Sequence, residues 1–176
     1  ELPEASLDFF PESGNLVNGL ESRVAYELRG EEGRWGEEKI MIYKDDKIIL
    51  ETTPLHMGKG TFTVVPDKNA VYRAEITPKN SKGKTKRHRF KLPEIAEEGV
   101  VMNIVENGDS INITIANNLK KNIELGFAVL YRGTMGFYRK LDTADKKILF
   151  SIALNSLPEG VNRAVIFADE TRSEEH

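Results

Sequence analysis

SLDFFPESGNLVNGLESRVAYEL, residues 6–28, is the stretch on which the fold turns. An apolar-rich run over 6–10 gives way to Pro11, Gly14 and Asn15, the residues of a turn. Leu16-Val17 makes a second, short run, Asn18-Gly19 turns again, and Val24, Tyr26 and Leu28 then alternate with more polar neighbours. Period-two alternation between clusters of turn residues marks a β-strand with one buried face. The same grammar continues to about residue 167. It describes a scaffold of antiparallel strands and no cluster of catalytic residues.

Working outward, strands are predicted over 6–10, 21–28, 38–43, 46–51, 59–65, 70–76 and 87–92. A second set is predicted over 100–106, 110–116, 123–131, 135–141, 147–153 and 161–167. Lys44-Asp45-Asp46-Lys47, Pro66-Asp67-Lys68-Asn69 and Asn80-Ser81-Lys82-Gly83-Lys84 carry turn chemistry, and Asn107-Gly108 is a hairpin dipeptide between alternating apolar runs. Turn signals every 8–12 residues argue for sandwich packing. Residues 92–99 hold a proline, a glycine and three acids, the composition of a linker, with room for a single helical turn over 95–98. The sequence therefore predicts an all-β chain of two tandem immunoglobulin-like antiparallel β-sandwiches, residues 1–93 and 94–176. Phe9, Val24, Tyr26, Ile40, Ile42, Phe62, Val64, Tyr72 and Ala74 are the expected core of the first. Leu16–Arg23 and Leu157–Arg163 share a Leu-x-x-Gly-aliphatic pattern that leads into a strand, as a short internal echo or as two turns of one type.

Composition narrows the functional classes. The 176 residues are 39% hydrophobic and 30% charged, as in a folded globular chain. A net charge of −3 supplies no global attraction to nucleic acid or to an anionic membrane. Cysteine is absent, which removes disulfides, thiol nucleophiles and thiolate metal sites. No apolar run approaches the roughly 18–20 residues of a membrane-spanning helix. The start at Glu1 is expected to belong to a mature form or an excised fragment, and the polar residues 170–176 to be frayed.

Catalytic and metal constellations fare poorly. His56, His88 and His176 are scattered and show no ligand spacing, and His56 reads as a turn residue. Neither a nucleophile elbow nor a phosphate loop occurs; Gly58-Lys59-Gly60-Thr61 lacks the order and the following helix. The acid pairs Glu31-Glu32, Glu37-Glu38, Asp45-Asp46 and Glu97-Glu98 fall in turns and linkers, and no calcium-loop spacing exists. Asn112-Ile113-Thr114 is a glycosylation sequon inside a predicted strand. No enzyme activity, metal or cofactor is expected. The basic residues between Lys79 and Lys91 could touch phosphates, but edge protection or local docking is the favoured reading in an acidic chain with few aromatics there.

Aromatic residues in end loops are the remaining candidates. Trp35 lies in Gly33-Arg34-Trp35-Gly36, either as an exposed anchor or folded over a sandwich end. Tyr131, Phe137 and Tyr138 flank a turn that begins at Arg132. Trp35, Arg132, Phe137 and Tyr138 are the expected partner-binding residues.

The residues also carry a family resemblance. DFFPESGNLVNGLESRVAY, residues 8–26, resembles the FFPEGG-LV-G-SRVAF opening of macroglobulin-like (MG2-type) β-sandwich domains of large bacterial exported and outer-membrane-associated proteins. Met57-Gly58-Lys59-Gly60-Thr61-Phe62, with Pro66 and Tyr72-Arg73-Ala74, is similar to a second segment of that domain, and residues 157–167 resemble the end of the following one. Ser13 departs from the usual glycine, and the expected last strand after Phe167 is missing, as in a fragment truncated at that strand. Without cysteine the thioester of full macroglobulins is excluded. The resemblance implies a non-catalytic structural or interaction module of a larger cell-envelope protein, exported to the periplasm or cell surface. Its implied partners are neighbouring domains of the same chain or another envelope protein, with no nucleic acid and no direct membrane insertion. A carbohydrate-binding accessory domain stacking sugars on Trp35 or Tyr131/Tyr138, and a protease-interacting module without thioester, are the alternatives.

Overall fold

A computed structural model describes residues 5–30, 36–77 and 87–168. The fold is all-β, and its sheets are antiparallel apart from one short parallel pair. The chain divides into two compact units, Glu1–Glu97 and Glu98–His176.

In the first unit, β1 (Ser6–Pro11), β3 (Ser22–Arg29) and β6 (Lys59–Val64) form a sheet in the order β1-β3-β6. β4 (Ile40–Lys44), β5 (Lys47–Thr52), β7 (Tyr72–Ile76) and β8 (His88–Lys91) form a second, ordered β5-β4-β7-β8. Alternation decides which residues meet between them. Leu7, Val24, Tyr26, Leu28, Phe62 and Val64 from one sheet bury against Ile40, Ile42, Ala74 and Ile76 from the other. All nine expected core residues belong here, with Phe9 and Tyr72 partly buried at its margin. Tyr26 lies opposite Gly60, where a Cβ would sit 2.3 Å from the phenol oxygen, so the glycine provides room for the ring. That hydroxyl is within 2.9 Å of Thr52 Oγ1, and burial pushes the phenol pKa up.

β2 (Leu16–Val17) and β9 (Ile95–Ala96) form the parallel pair, with Leu16 opposite Ile95 and Val17 opposite Ala96. Residues 95–98, which had room for a single helical turn, instead begin with this strand pair. Ile95 packs at the margin of the first core, which keeps residues 94–97 in the first unit, four residues beyond the sequence-based boundary of 93/94.

In the second unit, β10 (Val100–Asn107), β11 (Ser110–Asn117) and β14 (Lys147–Ala153) form a sheet ordered β10-β11-β14. β12 (Glu124–Tyr131), β13 (Thr134–Asp142) and β15 (Asn162–Ala168) form the other, ordered β13-β12-β15. Ile113, Ile115 and Ile152 bury against Leu125, Phe127, Val129 and Leu141. Thr143, buried just beyond β13, accepts the Ile123 N–H at 2.7 Å and donates to the Ile123 carbonyl at 2.9 Å. Lys146 Nζ donates to the carbonyl of Leu119 at 2.8 Å and that of Thr143 at 3.2 Å, tying the two loops together.

The strand order repeats. β1-β3-β6 corresponds to β10-β11-β14, and β5-β4-β7 to β13-β12-β15. Among the described residues no strand stands beside β15 as β8 stands beside β7. This correspondence separates the two echo segments. One leads into β3 and the other into β15, which are not equivalent strands, and their glycines differ in backbone angle (Gly19 φ 73°, Gly160 φ 118°). The echo is two local turns. Asn107 also differs from expectation: it pairs with Ser110, so Gly108-Asp109 forms the loop. Gly108, at φ 59°, takes the first loop position, where a II′ hairpin favours glycine.

Candidate functional site

Successive strand residues face opposite sides of a sheet, and this separates two of the sequence-predicted contact residues. Phe137 points inward, stacked on Phe150 (centroids 6.3 Å apart, planes at 14°) and edge-on to Phe127 at 6.0 Å. It is part of the second core. Tyr138 is on the outer face, 44% exposed.

That outer face has a built aromatic pair. The Tyr138 ring lies 6.2 Å from Phe167, with the planes at 33°. Phe167 is 39% exposed and lies across Gly126 of the central strand, where a Cβ would come within 2.5 Å of ring atom Cζ. Register explains the arrangement. Gly126 is opposite both Lys140 and Phe167, and Ala128 is opposite both Tyr138 and Val165. Glycine and alanine in β12 leave a low floor, over which rings from the flanking strands lie. The Lys140–Glu124 ion pair, 3.0 Å, borders it. Phe167 was not expected as a site residue; the signal for it was Gly126, a glycine inside a strand, which often marks close approach.

Arg132 is in the β12–β13 turn with φ 48°, followed by Gly133 at φ 79°. Positive φ at both loop positions is the I′ geometry, and arginine is strained there. Its guanidinium lies 5.2 Å from the Tyr131 ring centroid. Trp35, the hairpin at 80–84, the basic residues from Lys79 to Lys86, Glu31-Glu32 and His176 lie outside the described residues.

The first unit has a charged outer face. Glu75 is only 1% exposed, and three arginines bring their Nε atoms to its carboxylate: Arg89 at 2.9 Å, Arg73 at 3.1 Å and Arg87 at 3.7 Å. Burial pushes the Glu75 pKa up, but the Arg73 hydrogen bond and the charges of Arg89, Arg87 and Arg73 outweigh it and hold the carboxyl below its usual range. Arg73 also stacks over Tyr43, 4.2 Å from the ring centroid. Asp67 is likewise lowered, first by the Lys44 hydrogen bond and then by the Asn69 N–H, while Glu98 is lowered by the backbone and side chain of Lys120.

Neither histidine forms a ligand set. His88 is buried beside Phe90, and His56 bridges to Lys59 in a turn. Among the described residues no three of His, Cys, Asp and Glu are grouped to hold a metal ion. None of the helices there is long and apolar enough to cross a membrane. A shallow groove of about 470 Å³ runs past Phe10, Ala25, Leu55 and Thr61 on the outside of the β1-β3-β6 sheet. The chemistry on offer is apolar ring area on the second unit and guanidinium donors on the first.

No family model and no curated protein matches the sequence. Among solved structures, one similar chain is a Ca²⁺-stabilised adhesin that helps an Antarctic bacterium reach out and bind ice. The superposition covers 94% of this chain and 48% of that one, at 10% identity and a TM-score of 0.43. This chain thus spans about half of that adhesin chain's length. A superposition this loose constrains neither the arrangement of the units nor a function.

Proposed function

We propose that the chain is a non-catalytic interaction and spacing module of a larger bacterial cell-envelope protein, exported and exposed at the periplasmic or outer surface. The observation that carries this reading is the Tyr138–Phe167 pair laid over Gly126 on an outer sheet face. Aromatic rings left 44% and 39% exposed, in fixed positions on strands rather than in loops, suit the burial of flat apolar area against another domain. The repeated strand order supports a tandem array of like modules, and the macroglobulin-like motifs in residues 8–26 and 57–74 support the envelope setting. Fold alone assigns no function, so the assignment rests on that face. The partner is a neighbouring domain of the parent chain or of another envelope protein.

The test is recovery of partners from a native membrane fraction, using wild type and a Tyr138→Ala/Phe167→Ala variant with matched circular dichroism and melting. Loss of a partner protein in the variant is the expected result. Unchanged recovery sinks the proposal. Glycan-array binding that depends on Tyr138 would replace it with the carbohydrate reading.

A further inference from the structure

We propose that the outer face of β8 is a docking strip for an extended acidic segment of a protein partner, read by Arg87, Arg89 and Lys91. Arg89 is opposite Glu75, and Lys91 opposite Arg73, so β8 lays a row of cations beside the arginine of β7. Alternate residues of a strand are spaced about 6.6–6.8 Å apart, which makes the row from Arg87 to Lys91 roughly 13 Å long. An extended peptide with acids at alternate positions presents carboxylates at the same spacing.

Glu75 organises this strip. It draws the Nε atoms of Arg87 and Arg89 to 3.7 Å and 2.9 Å from its carboxylate. The two side chains are nevertheless 61% and 63% exposed, which leaves room on each for a second acceptor. A guanidinium held on one edge by a carboxylate is oriented in advance, and its free edge matches another carboxylate in a paired, planar contact. Lys91 is exposed and has no ion pair among the described residues. One carboxylate thus fixes three arginines, and the strip keeps an excess of positive charge.

Its limits define the ligand. Toward the β4–β5 hairpin the strip is bounded by Asp45 and by Asp46, which is fully exposed beside Arg73. The whole chain carries a net charge of −3. A broad polyanion would meet those acids and that field, whereas a single extended strand covers the cations alone. An acidic protein segment therefore fits better than a nucleic acid or a lipid surface.

The probe is a fluorescein-labelled octapeptide of alternating Glu and Thr, compared with an isomer whose glutamates form one block and with a single-stranded oligothymidylate. The alternating peptide should bind the full chain, more weakly as ionic strength rises from roughly 0.05 M to 0.3 M. Arg87→Ser/Arg89→Ser should weaken it about tenfold or more, with far-UV spectra unchanged. If that variant misfolds, Lys91→Glu alone gives the same readout at a position without an ion pair. Tyr138→Ala should leave peptide binding intact, which separates this strip from the aromatic face. Absence of binding, equal binding of the blocked isomer or of oligothymidylate, or full affinity in the folded charge variants overturns the proposal.

Discussion

Phe62→Ala tests the packing of the first unit. The ring is 7% exposed, opposite Val24, edge-on to Phe9 at 6.0 Å and 6.2 Å from Tyr26. Removing a buried phenylalanine ring costs about 3–5 kcal/mol through lost transfer energy and the cavity left behind. The share from the aromatic contacts is about 0.5–1.5 kcal/mol each and is included in that figure. Set against a typical domain stability of roughly 5–15 kcal/mol, the loss is a large fraction of what holds the unit folded. With a urea slope of about 1.5 kcal/mol/M, the midpoint should fall by roughly 2–3 M. Far-UV circular dichroism follows the strands of both units, and NMR signals of Val24 and Ile42 follow the first unit alone. The second unit's transition should stay in place. Phe62→Leu should cost less than about 1.5 kcal/mol, since volume is nearly kept. A loss below about 1 kcal/mol for Phe62→Ala would mean the ring faces outward and the facing assigned to β6 is reversed.

Three further outcomes are expected. Gly126→Ala should displace the Phe167 ring, whose Cζ lies 2.5 Å from the new methyl position; because the ring can swing into solvent the cost should be only about 0.5–1.5 kcal/mol, and NMR contacts between Phe167 and Tyr138 should vanish. Arg132→Asn should raise thermal stability by about 0.5–1 kcal/mol, because asparagine tolerates φ 48° in an I′ turn better than arginine does. Stability should fall in acid. Glu75, Asp67 and Glu98 have native pKa values below their ordinary 4.5, 3.8 and 4.5, so their contribution is complete above those values and is lost as pH drops through the lowered ones. Urea midpoints should therefore decline below about pH 4.5, and Glu75→Gln should flatten part of that decline.

Strands were legible because alternation and turn residues are local. Thirteen runs predicted from the sequence coincide with the long strands to within about two residues. Pairing between distant segments was not legible. Ala96 is a weak strand residue, and only its contact with Val17 makes it one. The turn at Gly108 slid by one position because Asn-Gly and Gly-Asp both satisfy hairpin geometry, and the register decides between them. At the candidate site, Phe137 and Tyr138 were both expected as contact residues, although neighbours in a strand face opposite sides of the sheet. Which ring pointed inward depended on the aromatic cluster with Phe127 and Phe150. Phe167 and Gly126 are 41 residues apart in sequence and meet only through the β12–β15 register. Arg87 and Arg89 likewise read as part of a basic run, and only the pairing of β7 with β8 brings them to Glu75.

In the proposed function, the outer face of the β13-β12-β15 sheet contacts another protein domain. A photo-crosslinking residue placed at position 138, within the parent protein in its native envelope fraction, tests it most directly. Leu149, 65% exposed on β14 of the other sheet, is the control position. Crosslinks to one discrete protein domain from position 138, and none from position 149, are the predicted result. Equal, diffuse labelling from both positions, or none from position 138, would contradict the account.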